Sequence, residues 1–179
     1  RTSALVLNAN GSLLVTGSMS GMVQVYSRTE HKILHSLNDH KGGISALGLS
    51  PDGKFLVSGS DDETLRVYEL ASFNLLHILD LQRDDDYTGR RIPVALAFTA
   101  DSKMLLVNEW YSRHYDVGRG ITRWDVASGM EISGQQISPP SDNTMRAGLA
   151  LGGNGWLMVY TDESGLVSER LDSCGSKTE

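Results

Sequence analysis

The amino-acid sequence predicts an all-β fold, and three observations carry that prediction. Apolar residues come in short β-branched runs separated by turns rich in Gly, Pro and Asn. No stretch keeps apolar residues at three- and four-residue spacing for long enough to make a helix. The chain also echoes itself: LLVTGSMSG at 13–21 returns as FLVSGSDDE at 55–63, while Gly11 returns as Gly53 and Tyr26 as Tyr68, each 42 residues on. A four-stranded unit recurring every 40 to 45 residues or so, roughly one per blade, is the period of a β-propeller. The expected architecture is a β-propeller segment of about four four-stranded antiparallel blades, at 3–37, 44–79, 93–132 and 147–171, with 172–179 as a tail or truncated end.

The elements follow in order. The first repeat places strands at 4–7, 13–16, 23–26 and 33–37. Its Asn10-Gly11 turn is a strong hairpin signal, because both residues tolerate positive φ. The second repeat places strands at 44–49, 55–58, 65–70 and 75–79, joined by Pro51-Asp52-Gly53 and Asp61-Asp62-Glu63. Pro presets φ for that first turn and Gly supplies a conformation other residues avoid. The third repeat is stretched, with strands at 94–98, 104–107 and 120–126. The fourth is eroded, with strands at 149–151, 156–160 and 166–169.

Composition narrows the function. The 179 residues fit one domain, and 16 basic against 22 acidic residues give a net charge of −6. That balance argues against a general nucleic-acid binder, which is usually basic. Cys174 is the only cysteine, so no disulfide can close within the chain. A chain with no such bond suits a reducing compartment, and an intracellular, cytoplasmic location is expected. No apolar run approaches the roughly 18 residues a membrane span requires. The chain opens at Arg1 and enters a strand at once, and it reads as a piece of a longer protein or multiprotein complex.

Residues 39–69, DHKGGISALGLSPDGKFLVSGSDDETLRVYE, resemble the WD-repeat family of β-propellers, with the closest match at 40–69. The family's opening Gly-His is represented by Asp39-His40, and its closing Trp-Asp by Tyr68-Glu69. Repeat three closes on a true Trp124-Asp125, and repeat one on Tyr26-Ser27. The resemblance implies a hydrogen-bonded chain inside the second blade through His40, Ser58, Asp62 and Tyr68. Repeat one has Ser20 in place of the Asp, so its network is expected to be weaker or absent. A Ser, a His and an Asp also invite a catalytic reading. The family places those residues inside the blade, whereas an attacking Ser must be exposed beside an oxyanion site. The nearest approach to a nucleophile elbow, GSMSG at 17–21, has Met19 where the Ser belongs. No catalytic residue is assigned, and no enzymatic activity is expected.

The departures from the period point to a site. From Gly53 to Ser102 is 49 residues against the base step of 42, and from Ser102 to Trp124 is 22 against 15 from Gly53 to Tyr68. From Trp124 to Gly155 is 31, against 27 from Tyr26 to Gly53. All three excesses fall on one face of a blade array, as loops at 81–92, 108–119 and 133–146. Long loops on a rigid scaffold are where binding concentrates. They carry Arg90 and Arg91, then Trp110, Tyr111, Arg113, His114 and Tyr115, and aromatics with Arg dominate interface hot spots. Arg90, Arg91, Trp110, Tyr111, Arg113 and Tyr115 are therefore the partner-binding candidates.

The remaining signals reduce to scaffold. Asp84, Asp85 and Asp86 read as solvated acids, because adjacent carboxylates lack the spacing of a cation loop. His31, His35, His77 and His114 lack zinc spacing, and the Asn10-Gly11-Ser12 sequon is the hairpin turn itself. No metal and no cofactor are expected. The function expected is a non-enzymatic scaffold presenting its long-loop face to a protein or peptide. The alternative is a nucleic-acid-associated binding module, or the propeller domain of a larger multidomain enzyme or regulator.

Overall fold

The computed structural model describes residues 1–82, 89–113, 116–132, 148–152, 155–162 and 165–171, with side chains described outside 112–119 and 148–171. The described residues form strands and turns with no helix. Blade one is β1 (Thr2–Leu7), β2 (Leu13–Ser18), β3 (Val23–Ser27) and β4 (Lys32–Leu37), hydrogen-bonded in that order. Blade two repeats it as β5 (Ile44–Leu49), β6 (Phe55–Ser60), β7 (Thr64–Glu69) and β8 (Leu75–Asp80). Blade three contributes β9 (Arg90–Phe98), β10 (Met104–Arg113) and β11 (Asp116–Asp125), and a further antiparallel sheet holds β12 (Gly148–Gly152), β13 (Gly155–Asp162) and β14 (Gly165–Leu171). Beyond β11, Glu131 forms an isolated antiparallel bridge with Trp124.

The turns explain why the echo is so regular. Gly53 sits at φ 72° and its N–H donates to Ser50 O at 2.9 Å, while Gly11 at φ 67° donates to Asn8 O at the same distance. In each case the first residue of the turn, Ser50 or Asn8, also accepts the N–H that opens the next strand, from Phe55 or Leu13. Different side chains thus build one hairpin geometry, and only the positive φ requires Gly.

Blades stack face to face. The strand register puts Val6, Val15 and Val25 on one face of blade one, and this face meets Leu56 and Tyr68 of blade two in one buried cluster. The opposite face of blade two, with Val57 and Val67, packs on Leu105 and Trp124 of blade three. The first strands lie side by side in chain order, β1 against β5, β5 against β9 and β9 against β12. Gly17 and Gly59, again 42 apart, make that approach possible. A Cβ on Gly17 would stand 2.3 Å from Ile44, and one on Gly59 would stand 2.6 Å from Pro93.

Blade three corrects the expectation of loops. Residues 108–113 are not a loop but the second half of β10, and 116–119 belong to β11. The pairs Asn108↔Ile121, Glu109↔Gly120, Trp110↔Arg119, Tyr111↔Gly118, Ser112↔Val117 and Arg113↔Asp116 continue the ladder without a break. On its other side β10 pairs with β9 as far as Ser112↔Arg90, so 90–92 are strand too. The extra residues lengthen three strands together, because backbone groups paired on both sides need no apolar alternation to stay in a sheet. The expected loop at 133–146 and residues 83–88, with Asp84–Asp86, lie outside the described residues.

Candidate functional site

The polar chain of blade two starts at His40, which is buried just ahead of β5. Its Nδ1 lies 3.0 Å from Asp62 Oδ2, and its Nε2 lies 2.8 Å from Ser58 Oγ. A carboxylate accepts only, so Nδ1 carries the hydrogen and Nε2 accepts from the Ser58 hydroxyl. Asp62 is held in turn by the Thr64 hydroxyl, which donates to Oδ1 at 2.7 Å, and by the Lys41 N–H, which donates to Oδ2 at 2.8 Å. Burial lowers the His40 pKa below its ordinary value, against the opposing pull of Asp62. For Asp62, burial works upward, but the hydrogen bonds from Thr64, Lys41 and His40 prevail and bring its carboxyl down to about 2. The connectivity is that of a Ser-His-Asp triad, yet Ser58 has no exposed surface. An oxygen with no path to solvent cannot attack a substrate, so these three residues brace the turn between β6 and β7 instead.

Tyr68 keeps a side-chain interaction with Ser58 and adds a partner the sequence did not name. Its ring is buried at the end of β7, and its hydroxyl donates to Asp39 Oδ2 at 3.1 Å. Burial first, and then the charge of Asp39, hold the phenol above its usual pKa. The two departures from the family pattern, Asp39 for Gly and Tyr68 for Trp, therefore touch each other. A phenol places its donor farther from the backbone than an indole does, and Asp39 stands where that donor arrives. In blade one the Ser20 hydroxyl lies 2.9 Å from Ser18 Oγ in the corresponding turn.

Blade three has a different buried network. Trp124 Nε1 donates to Thr122 Oγ1 at 3.0 Å, and the Thr122 hydroxyl donates to Glu109 Oε1. Glu109 Oε2 accepts from Arg91 Nη1 at 3.0 Å, a pair with side-chain exposures of 9% for Arg91 and 1% for Glu109. The strand register sets Val107 of blade three where blade two has Ser58, so the family's hydroxyl is missing there. Asp125 stands apart from this network and caps the following turn, accepting from Ser128 N at 2.8 Å and from the Ser128 hydroxyl at 2.7 Å.

The partner-binding candidates separate accordingly. Arg91, expected on a loop, is buried beside Glu109, with its guanidinium carbon 5.8 Å from the Tyr111 ring centre. Arg90 is 57% exposed and reaches back to blade two, donating from Nη2 to Asp61 O at 2.7 Å with Nε 3.6 Å from Glu63 Oε1. Trp110 and Tyr111 are half-buried on the long hairpin. Arg113 ends β10, its side chain outside the described residues, as are His114 and Tyr115. Glu109, Thr122 and Thr64 were not singled out from the sequence, and Asp39 was named only as the stand-in for the family's Gly. The repeat offered one signal for them, since Asp39 and Tyr68 depart from the family pattern within a single repeat.

On the opposite, short-turn face a shallow cavity of 350 Å³ lies between blades two and three, lined by Asp52, Phe55, Asp101, Lys103 and Asp125 among others. Its three carboxylates are engaged within their own turns, by Ser50, Thr99 and Ser128. Among the described residues no group of His, Cys, Asp and Glu could hold a metal ion, and no helix is long and apolar enough to cross a membrane.

Comparison with known proteins agrees with this geometry. The family model of the WD domain, G-beta repeat, matches residues 31–69, which span β4 to β7. No curated protein sequence matches the chain. Among solved structures, that of U3-55K superposes with a TM-score of 0.74 at 18% identity, covering 99% of this chain and 50% of that one. The crystal structure of RRP9 WD40 repeats superposes with a TM-score of 0.72 at 16% identity, covering 99% of this chain and 53% of that one. The crystal structure of the computationally designed Ika4 protein gives 0.66 at 19% identity, covering 95% of this chain and 91% of that one. The chain thus spans about half the length of the first two structures. Residues 31–69 are a WD repeat, and the chain as a whole has the fold of a WD-repeat β-propeller.

Proposed function

We propose that the chain is a non-enzymatic interaction scaffold whose contact element is the long β10–β11 hairpin, with a protein or peptide as partner. One observation carries the reading: β10 and β11 run 10 residues each where β6 and β7 run 6. The added pairs, from Trp110↔Arg119 to Arg113↔Asp116, extend the hairpin beyond the length a blade uses. An element made of strand presents its side chains at fixed spacing, which lowers the ordering cost of binding relative to a loop. Trp110 supplies aromatic surface on one face, which it shares with Arg90, the residue paired with Ser112 on the adjacent strand, and Tyr111 supplies it on the other. Arg91 belongs to the support, because its charge is neutralised inside the blade by Glu109. Arg113 and Tyr115 remain contact candidates by position at the hairpin end. Within this reading the partner is not nucleic acid, given the net charge of −6. The scaffold works inside the cell as part of a larger assembly.

The test compares partner recovery by the intact chain with recovery by Trp110→Ala combined with Arg113→Ala, and separately by Arg90→Ala. Both variants must first show an unchanged circular dichroism spectrum. Loss of the same partner bands from the hairpin variant is expected. Undiminished recovery from the double variant removes the hairpin as the contact.

A further inference from the structure

Blades one, two and three each carry a β-bulge at the same place, and blade three builds furthest beyond it. The register shifts between Thr2 and Ala4 in blade one and between Ile44 and Ala46 in blade two. In blade three it shifts between Asn108 and Glu109, where Val94 of β9 is passed over. Past the bulge, the first two blades add the pairs Thr2↔Ser18 and Ile44↔Ser60 and then turn back. Blade three adds Glu109↔Pro93 and continues through Trp110↔Ile92, Tyr111↔Arg91 and Ser112↔Arg90. Glu109 thus stands where the other blades turn, and the whole extension follows the register chosen there.

The backbone specifies that register weakly, because Pro93, opposite Glu109, has no N–H to give the ladder. A one-residue slip would turn every side chain of a strand to the other face. With the bulge, Arg91 lies across from Tyr111 and shares a face with Glu109, its Nη1 3.0 Å from Glu109 Oε2. With the bulge closed, the pairing of 105–108 would simply continue, and Arg91 would lie across from Ser112, on the face away from Glu109. The ion pair therefore exists in one register only. Glu109 is itself fixed from the other side, because Thr122 of β11 donates to its Oε1 and the β10–β11 ladder has no shift. Blade two holds the same register, as the Arg91 N–H donates to Glu63 Oε2 at 3.1 Å.

We infer that Glu109 is a positioning residue for recognition: by holding Arg91 it keeps 90–92 in the bulged register, so that Arg90 and not Arg91 reaches the contact surface. The inference rests on the reading of the hairpin as the contact element. It accounts for the contrast between neighbours, with Arg90 57% and Arg91 9% exposed. Specifying register is the best-attested use of a buried polar or ionic group, which adds little net stability. A slip would exchange the two arginines and carry Ile92 from the face of Trp110 to that of Tyr111.

Nuclear Overhauser contacts between side chains of the isotope-labelled 179-residue chain test this. In the unmodified chain the side chain at 92 is expected to contact the Trp110 ring and not the Tyr111 ring. Arg91→Met with Glu109→Met gives an apolar pair that fills the same space without choosing a register, and position 92 is expected to contact both rings. Arg91→Ile with Ile92→Arg moves the charge by one position. Pairing with Glu109 then requires a closed bulge, so position 92 is expected to contact Tyr111 alone. This second variant decides the matter if the Met pair fails to fold. Contact with Trp110 alone in the variants overturns the inference and leaves the hairpin reading standing. The shifted variant is also expected to lose the partner bands that the intact chain recovers from lysate. If it recovers them undiminished while Trp110→Ala with Arg113→Ala does not, the role in recognition falls and the hairpin remains the contact.

Discussion

Gly59→Ala probes the contact on which blade stacking depends. Gly59 lies in β6, with its missing Cβ aimed at the first strand of blade three. An added Cβ would stand 2.6 Å from Pro93 Cγ and 3.0 Å from both Pro93 Cβ and Leu65 Cδ2. Carbon atoms rest at about 3.5–4.0 Å, so the pyrrolidine ring would have to recede by about 1 Å. It has no rotamer by which to do so, and β9 is held through its ladder to β10. Overpacking of this kind costs about 1–3 kcal/mol. Replacing Gly by Ala within a strand returns about 0.5–1 kcal/mol of backbone entropy. The net expectation is a loss of about 1–2 kcal/mol. For a chain of this size each kcal/mol lowers Tm by about 2–4 °C, so calorimetry should show a fall of roughly 2–8 °C. Gly120→Ala is the internal control: nothing lies within 4 Å of its Cβ, and it should be neutral or slightly stabilising. Gly17→Ala should behave like Gly59→Ala, because its Cβ would meet Ile44 at 2.3 Å. Urea unfolding of the three variants, checked for an unchanged m-value, decides the matter. If Gly59→Ala proves as stable as Gly120→Ala, blades two and three are not packed through this contact.

Two further outcomes follow from the polar networks. Tyr68→Phe should cost about 1.5 kcal/mol, the low end for a bond to a charged group, because Asp39 faces solvent. Tyr68→Phe with Asp39→Asn should cost less than the two singles added, and strict additivity in urea melts would show the pair to be uncoupled. Acidification should destabilise the fold in two windows. His40 has a folded pKa below its ordinary 6.5, so the unfolded chain binds its proton first, and that stability is present above 6.5 and is lost as pH falls below it. Asp62 contributes stability present above 3.8 that is lost as pH falls through about 2. His40→Gln should abolish the upper window and, because His40 also bonds Asp62, narrow the lower one; an unchanged slope of urea midpoint against pH above the Asp62 window would assign the titration elsewhere.

The strands of blades one and two were legible because their signals are local. Asn10-Gly11 and Pro51-Asp52-Gly53 place the hairpins, and the alternations Val23-Gln24-Val25 and Leu65-Arg66-Val67 mark which side is covered. The network through His40, Ser58 and Asp62 was legible from the family resemblance at 40–69. The hairpin was not. Asn108–Arg113 reads Asn-Glu-Trp-Tyr-Ser-Arg, a run without apolar alternation, and its partner strand carries Gly118 and Gly120. What keeps it in the sheet is pairing with β9 and β11 at once, which no single segment records. Arg91 was misplaced for a related reason. Its buried partner Glu109 lies 18 positions away, and two opposite charges at that separation look like ordinary surface residues until a strand register sets them side by side.

From the 42-residue echo and the turn chemistry, the sequence alone determined the scaffold: an all-β blade array, its best-formed unit in the second repeat, and the face on which its period breaks. Those properties depend on residues a few positions apart, where alternation and positive φ leave a direct mark. The tertiary structure alone decided that the break is a hairpin, that Tyr68 answers to Asp39, that Arg91 is support, and that Leu14 is half-buried where Leu56 is fully covered by a neighbouring blade. Each of these is a contact between segments distant in the chain. Identical residues 42 positions apart can therefore meet opposite surroundings, and only the packing of blade on blade distinguishes them.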